Sequence, residues 1–218
     1  GGGTMGAGIA YALMQSGSTV TLVERDDEAA ASARARVSGL LDAAVSRGLT
    51  SADKAAAQLT SMRFQAGYDD LQDGGLAIEA AFEDMAVKKD VLAALDSAMP
   101  DAVLATNTSY LDIDKMAGWL ADPSRLVGLH FFSPAHIMKL LEIVRGKASS
   151  DMALATGFAL AKRLGKLPVM VGVCDGFVGN RMLQRVREAA EHLLLDGAEF
   201  TQIDRVMTNF GYAMGLYM

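Results

Sequence analysis

The 218-residue sequence predicts an α/β protein: a doubly wound, largely parallel sheet followed by the start of an all-α domain. Three observations predict it. Short apolar or β-branched runs alternate with helical stretches up to about residue 174. A glycine-rich turn opens the chain, and beyond Asp175-Gly176 strand-forming runs give way to purely helical composition.

The elements follow in order. Gly1-Gly2-Gly3-Thr4-Met5-Gly6 is a turn, and the Ala-rich segment to about Gln15 is helical until Ser16-Gly17 closes it. Thr19-Val20-Thr21-Leu22-Val23 is a buried strand ending at Glu24. From Asp27 to about Ser61 the pattern is helical and charged, broken at Gly48-Leu49-Thr50-Ser51, with Ser51 placed to cap a second helix. We expect these two helices to form a solvated hairpin arm. Strands are expected at residues 75–79, 102–106, 126–130 and 140–144, with helices near 85–98 and 112–120 separating the first three. A helix over 151–164 and a strand over 168–173 complete the first domain, 1–174. A long amphipathic helix over about 178–195 opens the second, 175–218.

Composition narrows the function classes. A formal charge of -6 and a pI near 5.0 argue against nucleic acid or an anionic membrane as the main partner. No apolar run is long enough for a membrane span, and no signal peptide opens the chain. Cys174 is the sole cysteine, which rules out a disulfide framework and a cysteine-based metal site and fits a reducing, cytoplasmic setting; no metal site is expected.

Gly1-x-Gly3-x-x-Gly6 has the spacing of a dinucleotide-binding turn, in which helix amides beyond the glycines, at Thr4 and Met5, face a pyrophosphate. Glu24 follows at the end of the next strand, where a carboxylate accepts hydrogen bonds from ribose hydroxyls and repels a 2′-phosphate. That favours NAD over NADP, with Arg25 as the one residue arguing the other way. The fold is therefore expected to be a Rossmann-type doubly wound sheet. In such a sheet the strand before the fingerprint is central, in the order 3-2-1-4-5-6, and here the first strand is missing. Together with a first residue other than Met and an end inside an apolar segment, this reads as a fragment.

His130-Phe131-Phe132-Ser133-Pro134 followed by Glu142 can bring an imidazole and a carboxylate together across neighbouring strands. A histidine held by a carboxylate has a fixed tautomer and a stabilised imidazolium, as proton removal from an alcohol requires.

Read together, Gly1-Gly-Gly-Thr-Met-Gly-Ala-Gly-Ile-Ala10, Ala105-Thr-Asn-Thr-Ser109, His130-Phe-Phe-Ser-Pro134, Lys139-Leu-Leu-Glu142 and Asp175-Gly-Phe-Val-Gly-Asn180-Arg-Met resemble the L-3-hydroxyacyl-CoA dehydrogenase family over nearly the whole chain. The resemblance implies NAD-dependent oxidation of an L-3-hydroxyacyl-CoA in fatty-acid β-oxidation. It makes His130 the base and Glu142 its orienting partner. Ser109 and Asn180 then hydrogen-bond the reacting oxygen and the histidine's surroundings, with Asn180 contributed by the second domain. It also places Asn107 at the nicotinamide ribose, and Glu83 and Lys88 near the cofactor, Lys88 as a cation offsetting part of its charge. Arg47 and Lys54 on the helical arm are candidates for the anionic end of coenzyme A. Self-association through the helical domain, as in the short members, is a further expectation.

Ser133 stands where many single-function members carry Asn, and with Gly176-Phe-Val-Gly-Asn-Arg-Met182 it resembles the dehydrogenase part of multifunctional fatty-acid oxidation proteins, which carry an enoyl-CoA hydratase/isomerase domain upstream. Met214-Gly215-Leu216 departs from the usual Met-Gly-Pro, away from the chemistry. Two other readings stay open at this point: a dehydrogenase of a non-CoA hydroxy acid, separable by its substrate, and a catalytically silent nucleotide-binding module. The joint presence of Ser109, His130, Glu142 and Asn180 argues against the silent module.

Overall fold

Short apolar runs become strands because alternate side chains can be buried on both faces of a parallel sheet. The computed structural model describes residues 1–218. In chain order it contains α1 (Thr4–Gln15), β1 (Thr21–Glu24), α2 (Asp27–Ser46), α3 (Ala52–Ser61), β2 (Arg63–Ala66), β3 (Leu76–Glu79), α4 (Met85–Ala98) and β4 (Val103–Thr106). These are followed by α5 (Ile113–Ala117), β5 (Leu126–Phe131), β6 (Leu140–Arg145), α6 (Asp151–Arg163), β7 (Leu167–Gly172), α7 (Gly179–Leu195) and α8 (Phe200–Phe210). The chain divides into one unit spanning Gly1–Asp175 and another spanning Gly176–Met218. No helix is long and apolar enough to cross a membrane.

The first unit is a Rossmann-type sheet. Strands β3-β4-β5-β6-β7 pair side by side, all parallel except β5 with β6. Parallel neighbours need a crossover, whereas residues 132–139 contain no helix, so β5 and β6 run antiparallel. The β1 and β2 strands form a separate parallel pair. Gly1 lies between the ends of β1 and β3: its amino group donates to the Val23 carbonyl at 3.1 Å, and a Cβ on it would lie 2.6 Å from the Ala80 carbonyl oxygen. The strand that precedes the fingerprint in a doubly wound sheet would occupy the place between β1 and β3, and residues 1–218 do not include it.

Strand alternation gives the sheet two different faces. Val103, Ala105, Val127, Leu129, Phe131, Leu141 and Ile143 point to one side and pack with Ile9 of α1 and with Ala153, Leu154, Leu160 and Ala161 of α6. Gly157 lets α6 approach closely, because a Cβ there would meet Leu129 at 3.0 Å. The other face lies under α4 and α5. Gly128 makes room for α5, since a Cβ would meet Ile113 Cδ1 at 2.4 Å. His130 shares Gly128's face by the two-residue period.

Two expectations change. The pair of helices α2 and α3 is not a solvated arm: Ala33, Val37 and Leu41 of α2 and Ala55 of α3 are buried with Ala7, Ala10 and Met14 of α1 and Leu22 of β1 in a second apolar cluster. Only the outer face, with Arg47 and Lys54, is exposed. Strand β2 was not anticipated either, because Arg63-Phe64-Gln65-Ala66 is short, polar and at the sheet edge. In the second unit, α8 opens with a reciprocal capping box between Glu199 and Gln202 and closes at Gly211, whose φ of +114° suits glycine.

Leu41→Ala should therefore lower the unfolding free energy of the intact protein by about 2–5 kcal/mol in urea titrations, the cost of a core cavity; a change of under about 0.5 kcal/mol would restore the solvated arm.

Candidate active site

The glycine turn is shaped by its neighbours. A Cβ on Gly6 would sit 1.7 Å from the Gly1 carbonyl oxygen, and one on Gly2 would sit 2.3 Å from Ala33 Cβ. Gly3 is different: a Cβ there would meet nothing within 4 Å, so no neighbour requires glycine there, and the backbone is left open to a ligand. Gly3 is also the N-cap of α1, with no side-chain cap and no acid in the first turn, leaving the amides of the Thr4-Met5 turn to an anion. Glu24 lies beside this turn and accepts a hydrogen bond from the Gly2 amide through Oε1. These groups suit a dinucleotide: open helix amides donate to the pyrophosphate, and a carboxylate accepts from ribose hydroxyls. Arg25, the residue that spoke for NADP, is paired instead with Asp26 at 2.7 Å on the surface, where Asp26 also caps α2. Arg36 donates to the Gly2 carbonyl at 3.2 Å, a cation at the turn that the sequence pattern did not single out.

His130 and Glu142 are register partners on β5 and β6, only 3% and 1% exposed. His130 Nδ1 and Glu142 Oε2 are 2.7 Å apart. An ionised carboxylate only accepts, so Nδ1 carries the proton and Nε2 becomes the basic atom of the ring. The Phe132 ring lies against the imidazole, with centroids 4.5 Å apart.

A second buried carboxylate, Glu79, closes β3. Its oxygens accept Lys88 Nζ at 2.8 and 3.0 Å, the Thr106 hydroxyl at 2.6 Å and the Ala81 amide at 2.6 Å. Lys88 also reaches Glu83 Oε2 at 3.2 Å. Glu83 Oε1 then accepts the Thr108 hydroxyl at 2.5 Å and the amides of Ser109 and Tyr110 at 2.7 and 3.2 Å. Burial pushes the Glu83 carboxyl up, but the Thr108 hydroxyl, the Ser109 amide and Lys88 together outweigh it and hold it below its ordinary value. Lys88 itself is 1% exposed, and its ammonium is bound by the carboxylates of Glu79 and Glu83.

Asn107 follows β4, and its Oδ1 accepts the Phe131 amide at 2.9 Å, tying the Ser109 segment to the histidine strand. Ser109 is half-buried in the turn after β4. Asn180 lies in the first turn of α7, in the second unit. The loop after His130 is held by Lys166, which is 8% exposed and donates to the carbonyls of Ala135 and Met138 at 2.7 and 2.6 Å. Sequence reading passed over Glu79, Arg36 and Lys166. For Glu79 a signal existed: an acid closing an apolar strand, as Glu24 does.

A dinucleotide cradle and a carboxylate-bound histidine in the same unit define a class, a nucleotide-binding protein equipped to remove a proton. Comparison with known proteins makes the class specific. Residues 1–174 match the family described as 3-hydroxyacyl-CoA dehydrogenase, NAD binding domain, and residues 176–218 match 3-hydroxyacyl-CoA dehydrogenase, C-terminal domain. The chain belongs to the 3-hydroxyacyl-CoA dehydrogenase family. It is 45% identical to the peroxisomal bifunctional enzyme of Danio rerio over 99% of its own length and 29% of that protein. It is 38% identical to the fatty acid oxidation complex subunit alpha of Acinetobacter baylyi, over 99% of its own length and 30% of that protein. The crystal structure of (S)-3-hydroxybutyryl-CoA dehydrogenase PaaH1 from Ralstonia eutropha matches with a TM-score of 0.92 and 34% identity, covering 99% of this chain and 77% of that one. The chain thus spans less than a third of the length of the curated relatives it matches.

Two outcomes follow. Gly6→Ala should weaken NADH binding by about tenfold or more in a fluorescence titration, because the added methyl displaces the turn that must meet the pyrophosphate. The contribution of Glu83 to stability is present above its ordinary value of 4.5 and is lost as pH falls through the lower folded value. Unfolding free energy measured across that range should thus fall more steeply in the wild-type protein than in Glu83→Gln.

Proposed function

We propose that this chain carries the NAD-dependent step that oxidises an L-3-hydroxyacyl-CoA to the 3-oxoacyl-CoA in fatty-acid oxidation. The observation that carries the reading is the 2.7 Å contact of His130 Nδ1 with Glu142, which makes Nε2 a base at the end of β5. His130 takes the proton of the 3-hydroxyl, and Glu142 stabilises the imidazolium that forms. Ser109 and Asn180 are the proposed hydrogen-bond donors to the reacting oxygen and to the surroundings of the histidine. Gly1, Gly3, Thr4, Met5, Gly6 and Glu24 hold the pyrophosphate and adenosine ribose, and Asn107 and Glu83 border the nicotinamide end. NAD, when bound, supplies the hydride acceptor. The names of the relatives support the acyl-CoA substrate and the place in fatty-acid oxidation, and they suit an upstream hydratase/isomerase domain. The single thiol of Cys174 supports a reducing compartment.

In the intact protein, His130→Gln should lower kcat by about 10²–10⁴-fold, the usual worth of a general base, with NADH affinity nearly unchanged. Wild-type activity in that variant would sink the assignment of the base. Acetoacetyl-CoA should be reduced with NADH where free acetoacetate is not; equal turnover of both would remove coenzyme A from the reading.

A further inference from the structure

The loop between His130 and Glu142 is gripped by a buried cation bound to neutral groups. Strands β5 and β6 form a hairpin, and His130 with Glu142 is the last register pair but one before its loop, residues 132–139. A pair so near the end of a ladder depends on how the loop is closed, because ladders open first at their ends. Within the loop the amides of Ile137 and Met138 both donate to the Pro134 carbonyl, at 2.9 and 3.0 Å, which winds residues 134–138 into a single turn. The carbonyls of Ala135 and Met138 then converge on Lys166 Nζ, at 2.7 and 2.6 Å. Nζ also lies 5.6 Å from the centroid of the Phe131 ring, on the residue next to His130.

Lys166 is itself placed with little freedom. Helix α6 ends in a Schellman motif: Gly165 has a φ of +63°, its amide donates to the Lys162 carbonyl at 3.1 Å, and the Lys166 amide donates to the Ala161 carbonyl at 2.9 Å. The next amide, of Leu167, donates to the Lys139 carbonyl at 2.8 Å, at the far end of the loop. The lysine stem therefore starts from a fixed helix end, and its tip is 8% exposed. Burial pushes the ammonium below the ordinary lysine value, and both of its hydrogen-bond partners are uncharged. A cation buried on such terms is an expensive way to fill space, where an apolar side chain of similar volume would serve stability as well. What the ammonium adds is a grip on two carbonyls of an irregular segment.

We propose that Lys166 is a positioning residue for the proton transfer: by closing the loop between β5 and β6 it keeps the Phe132 ring against the imidazole and so fixes the direction of His130 Nε2. The kinetic part of this inference rests on the dehydrogenase reading, and the closure of the loop does not. The Glu142 carboxylate fixes one atom of the imidazole, Nδ1, while Phe132, with ring centroids 4.5 Å apart, bears on its tilt. Without the ammonium, the Ala135 and Met138 carbonyls turn to water and the turn at Pro134 loosens. Phe132, two residues before Pro134, moves with it. A base turned by a small angle loses rate in the chemical step itself.

The test uses the intact protein and three variants. Lys166→Met keeps the stem and removes the donors. Lys166→Gln keeps one amide as donor and is read in the same way if the Met variant melts below the assay temperature. Leu154→Ala, in the same apolar cluster but away from the loop, is the control for lost stability alone. Amide exchange at Ile137 and Met138, thermal midpoint, and the single-turnover rate of NADH oxidation by saturating acetoacetyl-CoA are measured for each. The lysine variants should exchange faster at 137 and 138 by about tenfold or more, and their single-turnover rate should fall by about 10–100-fold. The control should lose thermal midpoint while its rate stays within about threefold of wild type. A rate loss under about tenfold in the lysine variants, or an equal loss in the control, would reduce Lys166 to a structural staple and overturn the proposal. Unchanged exchange at 137 and 138 would overturn it as well. A wild-type protein with no turnover would count against the dehydrogenase reading, and the exchange measurement would then decide the closure of the loop by itself.

Discussion

A carboxylate taken out of water must recover its lost hydration in hydrogen bonds and opposite charge, and two such groups, Glu79 and Glu142, govern the ligand end of this sheet. Each is 1% exposed. An unpaired charge at that depth would cost several kcal/mol, so the partners are as constrained as the acids themselves. Lys88 meets Glu79, and His130 meets Glu142. The two-residue period of the strands then decides everything else on that face: Glu79 stands beside Thr106, and Glu142 beside His130.

The sheet separates its tasks by face. On the side of α6 the contacts are apolar from Val103 to Ile143, and they give the strands their stability. On the side of α4 and α5 the strand ends carry the hydrogen-bonded groups that hold the His130 imidazole and the Ser109 turn. Asn107 joins the two systems, since it extends the strand next to Glu79 and bonds to the residue after His130. The glycine turn works by different physics. Gly6 and Gly2 are excluded from bearing side chains by the protein itself, while Gly3 is left bare toward the outside.

Much of this was legible in the sequence because the signals were local. Strands β3 to β7 are apolar runs, Ser51 caps α3 as its position before Ala52 implied, and Gly17 ends α1 with a φ of +80°. His130 and Glu142 were readable as a pair because nothing helical separates their strands. The burial of α2 was not, because its inward face is built largely from alanines, Ala30, Ala33 and Ala44, set among charges that resemble a solvated surface. The burial of Lys88 escaped for another reason. Its partner Glu79 lies nine residues back in a different kind of element, and only folding onto one face brings them together. A charge read on a helix in isolation looks exposed.

Lys166 has a further consequence. It grips the loop after His130 by main-chain oxygens alone, those of Ala135 and Met138, and an ammonium bound to carbonyls is indifferent to the side chains that those residues carry. Ala135 is nevertheless held by its own burial in the core, whereas Met138 is exposed, so the loop is fixed in length and at Ala135 but open to side-chain exchange at Met138. An exchange there, over evolutionary time or in a designed library, can reshape whatever lies against the loop while the main-chain grip is kept.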